Sequence, residues 1–263
     1  MMPELPEIAY LAKQLHEVLV MKNIKSIENY QEKSLNKTLD SFKKNIVSQS
    51  IKEVTAKGKW IKILFSSDDY LAINLGMGGE IYFNQDHKKT NTKIIFQSDD
   101  YLVISFWWFG HVHFVSKGEH HIIDELGYDL IHEDISFQQF KDFILGNRGN
   151  IKNVLLDQRK IAGIGNYYVH DILFTTKIHP LKKANTITEK QLNKLYQVII
   201  ETFNEAINQH GSFYEEDIYG HKGSYKADLV AYKEDKPCPI CKTTILKIKT
   251  SATTSYICPN CQR

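Results

Sequence analysis

All four cysteines of the chain fall within its last 26 residues, as Cys238-Pro-Ile-Cys241 and Cys258-Pro-Asn-Cys261 with sixteen residues between the pairs. Few patterns restrict a fold more. Two C-x2-C knuckles at this spacing are the ligand set of a tetrahedral four-thiolate zinc ion. Two disulfides are the alternative. The first twenty residues, however, mix Glu, Lys and His among apolar positions and show no secretion-signal pattern, so a reducing cytoplasm and one structural zinc are expected. Between the pairs, residues 243–249 and 253–257 read as two β-rich runs, hence a hairpin finger. So small a unit has no core of its own and depends on its metal to fold.

The remainder must supply the hydrophobic cores. With 263 residues, 42% of them hydrophobic, the chain suffices for two medium domains, or for one large domain with an appendage. The formal charge is only +2, so a nucleic-acid surface has to come from local clustering of basic residues. From Lys236 to Arg263 there are five basic residues and no acidic one, which marks the finger as such a cluster. No apolar run is long enough to span a bilayer.

Helical spacing of Ile8, Leu11, Leu15, Val18 and Leu19 predicts an amphipathic helix over residues 6–21. Short runs rich in β-branched and aromatic residues follow: 51–54, 60–65, 70–75, 81–83, 93–96, 101–106 and 111–115. The echo between Phe65-Ser-Ser-Asp-Asp-Tyr70 and Phe96-Gln-Ser-Asp-Asp-Tyr101 predicts two hairpins, and the whole predicts an antiparallel sandwich or barrel. Past a polar stretch at 117–133 the period becomes helical. Ser136 with Gln139 and Thr188 with Gln191 form capping boxes, residues 151–157 and 166–175 read as helices, and Gly211 reads as the stop of the last one. Residues 212–229 have no period and read as a mobile loop.

Two stretches carry chemistry. The start, Met1-Met2-Pro3-Glu4-Leu5-Pro6-Glu7, is a helix lead-in on one reading; on another, once both methionines are gone, Pro3 presents a nucleophilic secondary amine with Glu4 as its acid–base neighbour. The stretch Gly163-Ile164-Gly165-Asn166 is either a plain interhelical turn or an anion cradle at a helix start, to which Lys152 and Asn166 would add donors.

The proline–glutamate start, Gly58-Lys59 and Leu75-Gly76-Met77 in a β-rich first domain, Gly163-Ile164-Gly165-Asn166-Tyr167 and the terminal four-cysteine finger resemble, together and in order, the formamidopyrimidine-DNA glycosylase and endonuclease VIII family. The resemblance implies an α+β chain. Its parts are a catalytic β-sandwich with a leading helix (1–116), a linker (117–133), a helix-two-turn-helix domain with a lesion-capping loop (134–229) and a zinc finger (230–263). It implies a monomeric base-excision repair enzyme of the bacterial cytoplasm acting on damaged double-stranded DNA, a glycosylase with abasic-site lyase activity. Pro3 then matches the nucleophile, Glu4 the acid that assists sugar opening, and Lys59 the lysine near the lesion. Met77 matches the residue filling the void left by the flipped nucleotide. Lys152 and Asn166 match phosphate contacts, and Cys238, Cys241, Cys258 and Cys261 the zinc ligands.

Three departures from the family pattern stand out. Where Asp-Pro-Arg-Arg-Phe-Gly is usual, the chain has Ser105-Phe106-Trp107-Trp108-Phe109-Gly110. Trp107 therefore replaces the arginine that would read the orphaned base, while Phe109 keeps its identity as a wedge. Packing in the sandwich core is the other reading of these aromatics. Thr253 replaces the finger arginine, and Asn74 a common histidine. These changes leave room for a second reading, a protein of the same scaffold that senses abasic or distorted DNA without efficient catalysis.

Overall fold

The computed structural model describes residues 2–133, 135–250 and 253–263. Two compact units emerge, one formed by the stretch up to Glu125 with Ala206–Tyr225, the other by Leu126–Glu205 with Lys226–Arg263.

The first unit is an antiparallel sandwich, as the strand pattern predicts. Its sheets run β1(Ile24–Asn29)–β6(Thr92–Phe96)–β7(Tyr101–Ser105)–β5(Glu80–Phe83) and β2(Ile51–Lys57)–β3(Trp60–Phe65)–β4(Tyr70–Asn74)–β8(His111–Val115). Helix α1(Leu5–Leu19) lays Ile8, Leu11, Leu15 and Leu19 into the same core as Ile61, Ile63 and Leu71 of one sheet and Ile94, Leu102 and Ile104 of the other. Each such side chain is worth about 1.5–3 kcal/mol of burial. The two echoed hairpins form at β3–β4 and β6–β7. In each, an aspartate takes the left-handed conformation of the turn, Asp68 at φ 69° and Asp99 at φ 64°, which explains why Ser-Asp-Asp recurs there.

Two elements lie outside the sequence reading. Strand β1 escapes because a bulge between Ile24 and Ser26 puts its buried residues, Ile24 and Ile27, three apart instead of two. Helix α2(Leu39–Ile46), capped by Thr38, buries only Phe42 and Ile46.

In the second unit the predicted helices appear at their expected places: α3(Phe137–Leu145) behind the Ser136–Gln139 capping box, α4(Ile151–Leu156), α5(Asn166–Thr175) and α6(Glu189–Asn208). The expected start of this domain, Asp134, lies outside the described residues. The finger hairpin pairs β9(Leu246–Thr250) with β10(Thr253–Ile257). Its small core joins Ile245, Cys238 and Cys258 to Val230 and to Phe174 of α5. Among the described residues no helix is long and apolar enough to cross a membrane.

Candidate active site

The start of the chain is a helix lead-in that also buries its candidate site residues. Pro6 occupies the first turn of α1 and Glu4 its N-cap position. Pro3, Glu4 and Glu7 are nonetheless buried, the two carboxylates at 4% exposure each. Glu7 explains the arrangement. One of its oxygens accepts the Glu4 N–H at 2.9 Å and the other the Ser212 N–H at 2.9 Å. A side chain that reads as a favourable charge at a helix start is thus also the tie between the Pro3–Glu4 segment and a residue 205 positions away. The sequence signal for Glu7 is only its place in the first turn, which does not set it apart from an ordinary helix-start charge. Met1, which with Met2 would have to be removed to free a Pro3 amine, lies outside the described residues.

The stretch from Ser212, expected to be mobile, is irregular but held. Tyr82 donates its hydroxyl to Glu216 at 2.8 Å, Gln14 donates to Asp217 at 3.1 Å, and Phe83 N–H donates to the Ile218 carbonyl at 2.9 Å. Gly211, at φ 84°, turns the chain where a Cβ would sit 3.0 Å from Glu7 Cγ.

Lys59 occupies the two-residue turn between β2 and β3, with Gly58 at φ 57°. The Met77 loop faces the tryptophan segment: Met77 N–H donates to the Trp108 carbonyl at 2.8 Å and Trp107 N–H to the Met77 carbonyl at 3.1 Å. Gly76 is required there, because at φ 60° a Cβ would lie 2.3 Å from the Trp108 oxygen. Phe106 enters the core, whereas Met77, Trp107, Trp108 and Phe109 stand 44–71% exposed, so three of these aromatics form a surface tip rather than core.

Lys152 and Asn166 part company. Asn166 is exposed at the first residue of α5, while Lys152 is fully buried and donates its ammonium to the Thr254 carbonyl of β10. Burial pushes the Lys152 pKa down to about 8, and His170 beside it down to about 3 through its own burial and then the Lys152 charge. Between about pH 8 and the ordinary 10.5 the unfolded chain holds a proton that the folded chain has released, so stability rises with pH across that window. Denaturant melts should show Lys152→Met lacking this rise, a difference on the order of 3 kcal/mol by pH 10.5. Parallel pH profiles for the two proteins would refute the buried-ammonium geometry.

The four cysteine sulfurs lie within 4.8 Å of one another, the closest pairs at 3.3 Å (Cys241–Cys258), 3.5 Å (Cys241–Cys261) and 3.9 Å (Cys238–Cys261). All four are free thiols, too far apart for disulfides. Four ligands about 2.3 Å from one tetrahedral ion would stand about 3.8 Å apart, so the donor set fits a thiolate-bound metal.

Comparison with known proteins agrees along the whole length. Family profiles match residues 2–110 (formamidopyrimidine-DNA glycosylase N-terminal domain), 126–216 (formamidopyrimidine-DNA glycosylase H2TH domain) and 235–263 (zinc finger found in FPG and IleRS). The fold aligns with Lactococcus lactis Fpg in complex with abasic-site DNA at a TM-score of 0.90 and 27% identity, covering 99% of each chain. A Chloroflexus aurantiacus formamidopyrimidine-DNA glycosylase is 29% identical over 99% of this chain and 98% of its own. The corresponding Lactiplantibacillus plantarum protein is 32% identical over 100% of both chains. The chain belongs to the formamidopyrimidine-DNA glycosylase family.

Within this family of base-excision repair glycosylases, the three departures take specific structural jobs. Asn74 donates to the Lys59 carbonyl at 2.9 Å and accepts the Gly76 N–H at 3.0 Å, so it fastens the Lys59 turn to the Met77 loop. Trp107 carries the Lys89 ammonium 5.6 Å above its ring. Thr253 spends its hydroxyl on the Thr250 carbonyl, 3.2 Å away, closing the finger hairpin.

Proposed function

We propose that this glycosylase is bifunctional: it excises an oxidised purine or related damaged base from double-stranded DNA, then cleaves the abasic strand through a Schiff base on Pro3. The observation that carries the reading is the buried Pro3–Glu4 start, secured through Glu7 to Ser212, in a chain related over its whole length to formamidopyrimidine-DNA glycosylases. A secondary amine at this buried start suits covalent catalysis, since the amine attacks best when unprotonated and its ordinary pKa is about 8.

In this reading the Pro3 nitrogen attacks C1′, the base departs, and sugar opening assisted by Glu4 leaves an iminium ion that drives β- and then δ-elimination. Lys59, at its hairpin tip, serves the lesion and its phosphate, and Met77 with the exposed Trp107 and Phe109 fills the gap left by the flipped nucleotide. Trp107 stacks where an arginine would form hydrogen bonds, so discrimination among opposite bases weakens. Lys152 and Asn166 contact phosphates, and Lys152 must first give up its bond to Thr254. The chemistry is assigned to 1–116 and the finger to 230–263, where Cys238, Cys241, Cys258 and Cys261 hold one structural zinc. The protein works as a monomer in the bacterial cytoplasm.

Borohydride trapping on a duplex with a preformed abasic site tests the reading. Protein whose mass shows Pro3 at its terminus should yield a covalent adduct, and protein retaining Met2 should yield none, because the proline nitrogen is then an amide. Binding of the same duplex without any adduct between about pH 6 and 9 would instead identify a damage-sensing protein without turnover.

A further inference from the structure

Three segments of the candidate site leave the β2–β3–β4–β8 sheet at the same end. The register that pairs Ile61 with Ile73 and Asn74 with His111 sets Trp60, Asn74 and His111 in one row across β3, β4 and β8. Their neighbours Ile61, Ile73 and Val112 enter the sandwich core, so this row belongs to the opposite face. Each member stands beside a site element. Trp60 follows Lys59 directly, Asn74 donates to the Lys59 carbonyl and accepts the Gly76 N–H, and His111 follows Phe109-Gly110.

That face carries a packed layer of rings. The Trp60 indole, 8% exposed, lies nearly parallel to His111 with 6.2 Å between centroids, and it meets His113 at 5.8 Å and His121 edge-on at 5.3 Å. His113 in turn lies 5.0 Å from His111 and 5.2 Å from His121. Ala72, paired with His113 in the next row, is fully buried although it faces away from the core.

Hydrogen bonds fix the rings further. Ile123 N–H donates to His121 Nδ1 at 3.3 Å, so the neutral ring carries its proton on Nε2 and gives it to His113 Nδ1, 2.9 Å away. The backbone of His121 is held as well, its N–H donating to Asp124 at 2.9 Å. Burial foremost pushes the His113 pKa down to about 4 and lowers those of His111 and His121, which keeps the three rings uncharged at neutral pH.

We propose that Trp60 and His111 are positioning residues for lesion engagement: their stacked rings, backed by His113 and His121, hold the Lys59 turn and the Trp107–Phe109 tip in register with each other. The role rests on the work assigned above to Lys59 and to the tip. Trp60 and His111 act through those segments, and a displacement of ~1 Å there costs on the order of 100-fold in rate.

A double-mutant cycle separates this role from plain stability. Single-turnover excision of a formamidopyrimidine lesion is measured at saturating concentrations of processed full-length protein, with a thermal melt of each variant alongside. Trp60→Leu should lower the rate about 10–100-fold, and Trp60→Phe, which keeps a ring on His111, should recover it to within ~3-fold of native. In a Lys59→Ala background Trp60→Leu should cost less than ~3-fold, because residues that act through one another are not additive. His111→Leu should behave like Trp60→Leu, and it carries the test if Trp60→Leu fails to fold. Equal rate losses with Lys59 present and absent, a Trp60→Phe as slow as Trp60→Leu, or no loss in either leucine variant would overturn the positioning role while leaving the Pro3 reading intact. A Lys59→Ala protein that excises like the native one would remove the Lys59 reading and this role with it.

Discussion

Stripping the metal from the finger should abolish duplex binding while leaving the β-sandwich folded. The four sulfurs belong to the same small core as Ile245, Val230 and Phe174, and beyond them the finger has little to bury. Without an ion the four sulfurs, 3.3–3.9 Å apart in their closest pairs, lose the bonds that draw them together, and the hairpin has nothing to close it. Structural zinc in finger peptides is worth about 10–16 kcal/mol at neutral pH, more than a unit of this size supplies for itself. The loss reaches further, because the Thr254 carbonyl that holds the buried Lys152 ammonium lies on the finger strand β10. Chelation should therefore weaken duplex binding by at least ~100-fold, with amide exchange rising from Cys238 to the C-terminus and staying slow in β2–β8. Zinc, and not magnesium, should restore both. Full binding after proven metal loss would refute the finger assignment, and elemental analysis should give one zinc per chain.

Glu7→Gln is expected to be nearly as damaging for so small a change. Both Glu7 oxygens accept backbone N–H groups, and an amide presents one oxygen and one NH2, so one buried donor is left facing another donor. The cost is about 1–3 kcal/mol, several degrees in melting temperature for a chain of this size. Excision should suffer more than stability, falling at least ~10-fold, since the lost bond is the one that ties the Pro3–Glu4 segment to Ser212. A variant that melts and excises like the native protein would show that the tie has no functional weight.

Much of this fold is legible in the chain because local rules and tertiary demands agree. Short runs rich in β-branched and aromatic residues at 60–65 and 101–105, Asp in the left-handed turn positions 68 and 99, and the Ser136–Gln139 capping box each specify one local geometry, and each is found. Legibility fails where a long-range contact overrides the period. The bulge in β1 separates Ile24 from Ile27 by an extra position, and α2 shows only Phe42 and Ile46 to the core, too few for a recognisable stripe. The aromatic run 106–109 illustrates the same limit in composition: four large rings in a row look alike, yet Phe106 is core and the next three are surface.

The sequence alone determined that a sandwich precedes a helical domain and a four-cysteine finger, because ligand spacing and hydrophobic period are local properties, while it marked Pro3 and Glu4 only as candidates through the family resemblance. Only the tertiary structure decided how Glu7 and Lys152 are held. Their behaviour depends on burial and on partners 205 and 102 positions distant, Ser212 for Glu7 and Thr254 for Lys152, and the charge state of a buried group is set by neighbours that chain order does not disclose.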